Sequence, residues 1–393
     1  MTKFSTLCVK EFPDVKTTKP HILPLYLSSS FVFETIEEGI DIFKGAKQGH
    51  VYSRYSNPTV DTVANKIAAM EAYGTGIDAK CIMVSSGMAA ISTVCLALLK
   101  PGDKIITQAN LYGGTTELFS KILGNWGITP IYTDLKGLDW IENQLKIDPS
   151  IKMIYGETPA NPSMACIDLE KTAGLGKKYN VVTMVDNTFA TPYLQQPLAF
   201  GIQFVIHSTT KYLNGHGNGI CGAIVGANSP VMDIITKTMK LLGTNTNPLD
   251  AWLVNNGMKT LNLRMDRHSE NAMALANWLS EQKEVIQVNY PGLESHPDHL
   301  LAKKQMKQFG GMLSFELEGG IEAGKRFMNK LNLCTLAPTL GDVDTLVLHP
   351  ASSSHLNVDR EARLLNGISD GLIRLSVGIE DIEDLKADIK QAF

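Results

Sequence analysis

The chain has 393 residues, 44% hydrophobic and 19% charged, with a formal net charge of −4. That length can bury a large core and predicts more than one domain, and the composition excludes a disordered chain. The charge balance and the scattered basic residues exclude a field suited to nucleic acid.

The opening string MTKFSTLCVKEFPD has no apolar signal core, and no apolar run approaches the roughly 20 residues that span a bilayer. A cytoplasmic protein with no membrane partner is expected. Residues 1–60 read as an irregular, proline-bearing arm. From there KCIMVSS, KIITQA, ITPIYTD, IKMIYGE, VVTMVDN and GIQFVIHS read as short buried strands, with helical patterns between most of them. Strands alternating with helices predict a mostly parallel sheet over residues 61–256. The run ICGAIVGA reads as one more strand. Beyond Gly257 come a long amphipathic stretch, MKTLNLRMDRHSENAMALANWLSEQ, then GGMLSFELEGG, EAGKRFMNKLN, GLIRLSVGI and a terminal helix in IEDLKADIKQAF. Residues 257–393 are expected to form a smaller α+β domain.

Open parallel sheets bind ligands beyond the carboxyl ends of their strands. That rule selects Ser86-Gly87-Met88, where a helix is expected to open and its N–H groups favour phosphate. It also selects Asn110 to Gly114, Asp186-Asn187, and Ser208 to Lys211. Each has a plainer reading alone: Lys211 as a solvated surface charge, Asp186 as a turn or cap, Tyr112 as packing. The string Gly217-Asn218-Gly219-Ile220-Cys221-Gly222 fits G-x-G-x-x-G, but a dinucleotide fingerprint needs a helix to follow, and a strand is expected here. His207, His216, His349 and His355 lack metal-ligand spacing, so no metal is expected, and His349 and His355 are assigned to loop ordering. The six cysteines, without C-x-x-C pairs, suggest neither a disulfide framework nor a zinc site.

Taken together, a lysine, a carboxylate, hydroxyls, an aromatic ring and a helix N-terminus match what pyridoxal phosphate requires. The amine forms an imine with the aldehyde, and the acid keeps the ring nitrogen protonated so that the ring can accept electrons.

The sequence resembles the pyridoxal-phosphate enzymes of cysteine and methionine metabolism over nearly its whole length. The resemblance is carried by YSRYSNPT (52–59), SSGMAA (85–90), LYGGT (111–115), ETPANP (157–162), VDNTFATPYLQQPL (185–198), HSTTKYLNGHG (207–217), NLRMDRHSENA (262–272), LGD (340–342), HPAS (349–352) and GLIRLSVGIED (371–381). It implies an α/β architecture of the pyridoxal-phosphate-dependent transferase type, the aspartate aminotransferase fold type I. That fold has a large domain with a mostly parallel sheet and a smaller C-terminal α+β domain. By the same resemblance, Lys211 would hold the cofactor and act as general base and acid. Asp186 would pair with the pyridinium, Asn161 would bond the ring hydroxyl, and Tyr112 would stack on the ring and assist proton transfer. Gly87, Met88, Ser208 and Thr210 would bind the phosphate, and Tyr52 and Arg54 would reach the phosphate of a neighbouring subunit. A homo-oligomer follows, usually a tetramer built from dimers with shared sites. Arg374 would clamp the α-carboxylate of an amino-acid substrate, with Thr339 nearby.

Two positions bear on the reaction. Methionine γ-lyases of this group typically carry cysteine where this chain has Gly114, and cystathionine-handling members usually carry an acid where it has Pro338. HPASSSH (349–355) is similar to the sulfhydrylase form of its loop, whereas the chain length is that of the lyases. The expectation is γ-elimination from a sulfur amino acid in the manner of a methionine γ-lyase, giving a thiol, 2-oxobutanoate and ammonia. The alternatives are γ-replacement, as in the O-acetyl- or O-succinylhomoserine sulfhydrylases and cystathionine γ-synthase, or a cystathionine γ-lyase. A catalytically silent binding paralogue is the remote alternative, and intact Lys211, Asp186, Tyr112 and Arg374 argue against it.

Overall fold

The computed structural model describes residues 3–10, 20–354, 356, 360–365 and 367–393. Among these the strands are β1 (Ala79–Val84), β2 (Lys104–Gln108), β3 (Thr129–Thr133), β4 (Ile151–Glu157), β5 (Val182–Asp186), β6 (Phe204–His207), β7 (Gly222–Ala227), β8 (Val285–Asn289), β9 (Met312–Leu317), β10 (Thr335–Leu336), β11 (Leu346–Leu348) and β12 (Leu372–Ser376). Two compact units are formed, Met1–Leu98 with Ile206–Thr260, and Leu99–Val205 with Leu261–Phe393.

In the first unit, β1 pairs antiparallel with β7, from Ala79 opposite Ala227 to Val84 opposite Gly222. Hydrophobic patterning carries no information on strand direction, so this departure from parallel pairing is a tertiary result. The helix Pro58–Glu71 starts by local rules: Pro58 occupies its first turn, and the Asn57 side chain accepts the Thr59 N–H at 2.9 Å. Gly222 lets β7 begin hard against the Ser86 turn, because a β-carbon there would lie 2.1 Å from the Ser86 carbonyl oxygen. Among the described residues of the segment expected to be irregular, Phe4–Val9 and Ile36–Phe43 form short helices. The second is capped by Thr35, whose hydroxyl accepts the Glu38 N–H at 3.1 Å.

In the second unit the strands run in the order β6-β5-β4-β2-β3, with Phe204 and Val205 supplying the β6 residues. β2 pairs parallel with β3 and β4, and β4 with β5. The β4–β5 register sets Glu157 directly opposite Asp186 at the carboxyl ends of both strands. Partners in a sheet project to the same face, so the two acids become neighbours. The same unit contains a sheet of order β10-β11-β12-β9-β8, antiparallel except for β10 with β11. Its core joins Leu275 and Leu279 of the helix Leu261–Ser280, Phe315 of β9, Ile373 and Leu375 of β12, and Leu385 and Ile389 of the terminal helix Ile382–Ala392. This packing fixes β12, the strand that carries Arg374. Among the described residues no helix is long and apolar enough to cross a membrane.

Candidate active site

The lysine segment follows β6 as a series of turns in the first unit, with Ser208, Thr210 and Lys211 half-buried. The Lys211 N–H donates to the Ser208 carbonyl at 3.1 Å, and the Lys211 carbonyl accepts the Gly215 N–H at 2.7 Å. The Thr210 hydroxyl donates to the Cys221 carbonyl at 3.2 Å and accepts the Cys221 N–H at 3.1 Å. It therefore ties the lysine turn to the chain entering β7, and would have to redirect its proton to reach a phosphate. Beside this turn begins the helix Gly87–Leu98, with the Ser86 hydroxyl accepting the Ala89 N–H at 3.0 Å. Gly87 packs so closely that a β-carbon there would lie 2.8 Å from the Ser208 β-carbon. Only glycine allows the Ser208 hydroxyl to stand this near the positive end of the helix, and Met88 continues its first turn. A hydroxyl beside a helix N-terminus, with a lysine three residues further on, fits a phosphorylated aldehyde such as pyridoxal phosphate.

Tyr52 and Arg54 lie in the same unit. The Arg54 guanidinium sits over the Tyr55 ring, 4.8 Å from its centroid, and donates through Nη1 to the Lys240 carbonyl. Tyr52 is exposed.

The second unit holds the acids and the second guanidinium. Asp186 accepts the Thr188 N–H through Oδ1 at 2.9 Å. Arg374, buried on β12, donates through Nη2 to the Thr339 carbonyl at 2.8 Å and through Nη1 to the Asn161 Oδ1 at 3.5 Å. The structure thus brings together Asn161, Thr339 and Arg374, which lie far apart in sequence. Tyr112 presents a half-exposed ring, while its N–H donates to both carboxyl oxygens of Glu157 at 3.1 and 3.0 Å. Burial, reinforced by the charge of Asp186, pushes the Glu157 carboxyl up to about 8. Glu157 stands in the string ETPANP, where no local signal marks it out. Its meaning depends on strand register, which the string does not carry.

Gly114 lies in the short helix Gly113–Glu117, and Pro338 is exposed. The His349 Nδ1 meets the Ser352 hydroxyl at 2.7 Å and its Nε2 the Asp370 carbonyl at 2.9 Å, consistent with a loop-ordering histidine. His355 lies outside the described residues. His207 pairs with the buried Glu71 at 2.9 Å, and His216 with the Asn214 carbonyl at 2.7 Å. Among the described residues no group of three or more His, Cys, Asp or Glu side chains is placed to hold a metal. No disulfide links the six cysteines, all of which are buried.

Comparison with known proteins agrees with this chemistry. The model of the family described as Cys/Met metabolism PLP-dependent enzyme matches residues 5–393. An L-methionine γ-lyase of Fusobacterium nucleatum subsp. nucleatum is 43% identical over 371 residues, 94% of this chain and 92% of that protein. An O-succinylhomoserine sulfhydrylase of Pseudomonas aeruginosa is 38% identical, over 98% of this chain and 94% of that protein. Among solved structures, cystathionine γ-synthase from Xanthomonas oryzae pv. oryzae, in complex with aminoacrylate and cysteine, superimposes with a TM-score of 0.91 at 38% identity. The match covers 100% of this chain and 98% of that one. The fold is accordingly the expected fold type I, and the chain belongs to the Cys/Met metabolism family of pyridoxal-phosphate-dependent enzymes.

Proposed function

We propose that the protein catalyses γ-elimination from a small sulfur amino acid, converting methionine and water to methanethiol, 2-oxobutanoate and ammonia. The observation that carries this reading is the buried Arg374, held by the Thr339 carbonyl and Asn161 while the adjacent Pro338 offers no charge. A fixed guanidinium suits the α-carboxylate of an amino acid. A neutral residue at 338 suits a γ-group without charge, such as a methylthio group. Bound pyridoxal phosphate would supply the electron sink that makes protons at the substrate α-carbon removable.

The chain's own residues take the remaining roles. Lys211 holds the cofactor and moves protons at the substrate α- and β-carbons, for which its amine must be neutral. Asp186 pairs with the ring nitrogen, and Asn161 bonds the ring hydroxyl. Gly87, Met88 and Ser208 hold the phosphate, and Thr210 joins them when its hydroxyl turns from Cys221. The Tyr112 ring stacks on the cofactor, and its hydroxyl protonates the departing thiolate.

Tyr52 and Arg54 would complete the phosphate site of a second copy. The segment around them leaves apolar surface to water, with Leu27 71% exposed, Val32 99% and Phe43 67%, which supports burial in a homo-oligomer, a tetramer in our reading. The buried cysteines without disulfides support a reducing, cytoplasmic location.

A second reading, γ-replacement on an O-acylated homoserine, is favoured by Gly114 in place of the lyase cysteine and by the O-succinylhomoserine sulfhydrylase likeness. One product assay decides between them. Methionine, homocysteine, cystathionine and O-acetylhomoserine are supplied with and without sulfide, and 2-oxobutanoate and new thioether or thiol products are measured. Release of 2-oxobutanoate from methionine supports elimination; sulfide-dependent homocysteine formation as the dominant reaction overturns it. Lys211→Ala should abolish turnover and the absorption of the protein-linked imine, and a variant retaining both would displace Lys211 from its role.

A further inference from the structure

Glu157 ends β4, 6% exposed, directly opposite Asp186 on β5. A buried carboxyl beside a second acid retains its place when hydrogen bonds hold it. Here both oxygens accept the Tyr112 N–H, the Thr115 hydroxyl bonds to the carboxyl, and the Tyr155 hydroxyl approaches at 3.4 Å.

The backbone of the same residue starts a second chain of bonds. The Glu157 N–H donates to the Gln108 Oε1 at 2.7 Å, the Gln108 Nε2 donates to the Asn110 Oδ1 at 3.1 Å, and the Asn110 Nδ2 donates to the Ser163 hydroxyl at 2.8 Å. Gly156 makes room for this arrangement, since a β-carbon there would lie 3.0 Å from the Gln108 Oε1 and 2.7 Å from the Ile167 Cδ1. Ser163 lies two residues beyond Asn161. One polar network therefore reaches both the turn that begins at Tyr112 and the loop that carries Asn161.

We propose that Glu157 and Gln108 are positioning residues that fix the Tyr112 ring and the Asn161 amide relative to one another, an inference resting on the cofactor-facing roles proposed for those two groups. Buried networks of this kind have one fully bonded arrangement, so they hold their members more narrowly than packing alone. The titratable groups facing Glu157 are Asp186 from β5 and the Tyr155 hydroxyl from β4. The Tyr112–Thr115 turn presents an N–H and a hydroxyl, and β2 presents the Gln108 amide. Burial and Asp186 keep the Glu157 proton on through neutral pH.

The test uses the full chain stripped of cofactor and titrated with pyridoxal phosphate, followed by fluorescence, with kcat and KM measured on the reloaded enzyme. Glu157→Leu should raise the cofactor dissociation constant about tenfold, equivalent to about 1.4 kcal/mol, and lower kcat more than it changes KM. Glu157→Gln keeps an acceptor and the volume, so it should recover most of that loss. It should also remove the inflection between about pH 7 and 9 that titration of Glu157 is expected to give the native chain's cofactor affinity. Glu157→Leu combined with Gln108→Leu should lose less than the sum of the single effects, as members of one network do. Native affinity in a folded Glu157→Leu chain, an unchanged inflection in Glu157→Gln, or simple additivity would each overturn the proposal. If Glu157→Leu does not fold, Ser163→Ala, which removes one outer bond, decides: weaker cofactor binding supports the network, and native binding overturns it. Because the readout is cofactor binding, the network can fail while γ-elimination stands, and the reverse.

Discussion

Gly87 and Ser208 stand so close that a single methyl group on residue 87 would lie 2.8 Å from the Ser208 β-carbon and 3.1 Å from its α-carbon. Neither atom is the end of a flexible side chain, so a substitution must shift the helix start or the turn leading to Lys211. Gly87→Ala is expected to weaken cofactor binding by about tenfold, about 1.4 kcal/mol, and to lower stability by about 1–3 kcal/mol through overpacking. Titration of the cofactor-free protein and thermal melting measure the two effects. Unchanged affinity in the variant would show that the phosphate does not depend on this approach.

Arg54 is oriented before any partner arrives, by the Lys240 carbonyl and the Tyr55 ring. If it serves a second copy's phosphate, Arg54→Ala alone should release cofactor more readily, and more so on dilution. Mixing Arg54→Ala with Lys211→Ala chains should restore part of the activity, because one of the two hybrid sites then carries both native groups. Verified subunit exchange without recovery would argue for sites built from a single chain.

The route from sequence to these residues was uneven for physical reasons. Strands such as IKMIYGE and VVTMVDN are short apolar runs, buried on both faces, and a run of that kind is legible without tertiary information. β8, VIQVN, and the two- and three-residue β10 and β11 are too short or too mixed to stand out. The helix Ile36–Phe43 was signalled by Thr35 and Glu38 in capping-box spacing, though the prolines of the preceding stretch favoured an irregular reading. Lysine, glycine and helix-start signals are local, so the helix start at Gly87 and the turn carrying Ser208 and Lys211 are legible in the string. The Glu157–Asp186 and Arg374–Asn161 pairings arise from register and from loops distant in sequence, and periodicity does not encode them.

His268 offers a pH test of the fold. It is fully buried, its Nδ1 meets the Val377 carbonyl at 2.6 Å, and burial, with Arg264 nearby, pushes the ring down to about 4. A group that takes its proton more readily in the unfolded chain favours unfolding as pH falls from its ordinary value near 6.5 towards 4. His268 should therefore contribute full stability above pH 6.5 and lose up to ~3 kcal/mol of it across that window. Denaturant melts of the native chain and His268→Gln at pH 4.5, 5.5 and 7 check this. The variant should be less stable at pH 7, with the difference narrowing on acidification. A constant difference would mean that His268 does not titrate on unfolding.

Pro338 gives the test of substrate choice. Were residue 338 buried, the distal ammonium of cystathionine would be left there without a partner, a loss on the order of several kcal/mol. In the single chain Pro338 is exposed, so water would screen a pair formed at this position. The gain from a carboxylate is then that of a surface ion pair, about 1 kcal/mol at most, or about fivefold. The Pro338→Glu backbone N–H would be solvated at so open a position, and the neighbouring Ala337 N–H already has the Val347 carbonyl at 3.3 Å. The native enzyme should process methionine, homocysteine or an O-acylated homoserine with higher kcat/KM than cystathionine. Pro338→Glu should move the ratio towards cystathionine by up to about fivefold at low salt, and by less at high salt, where exposed pairs are screened. A much larger, salt-independent shift would mean that association of subunits buries residue 338, restoring the value of a desolvated pair. A native preference for cystathionine would instead require another residue to hold the distal amine, and would overturn the specificity argument while leaving Lys211 and the cofactor site untouched.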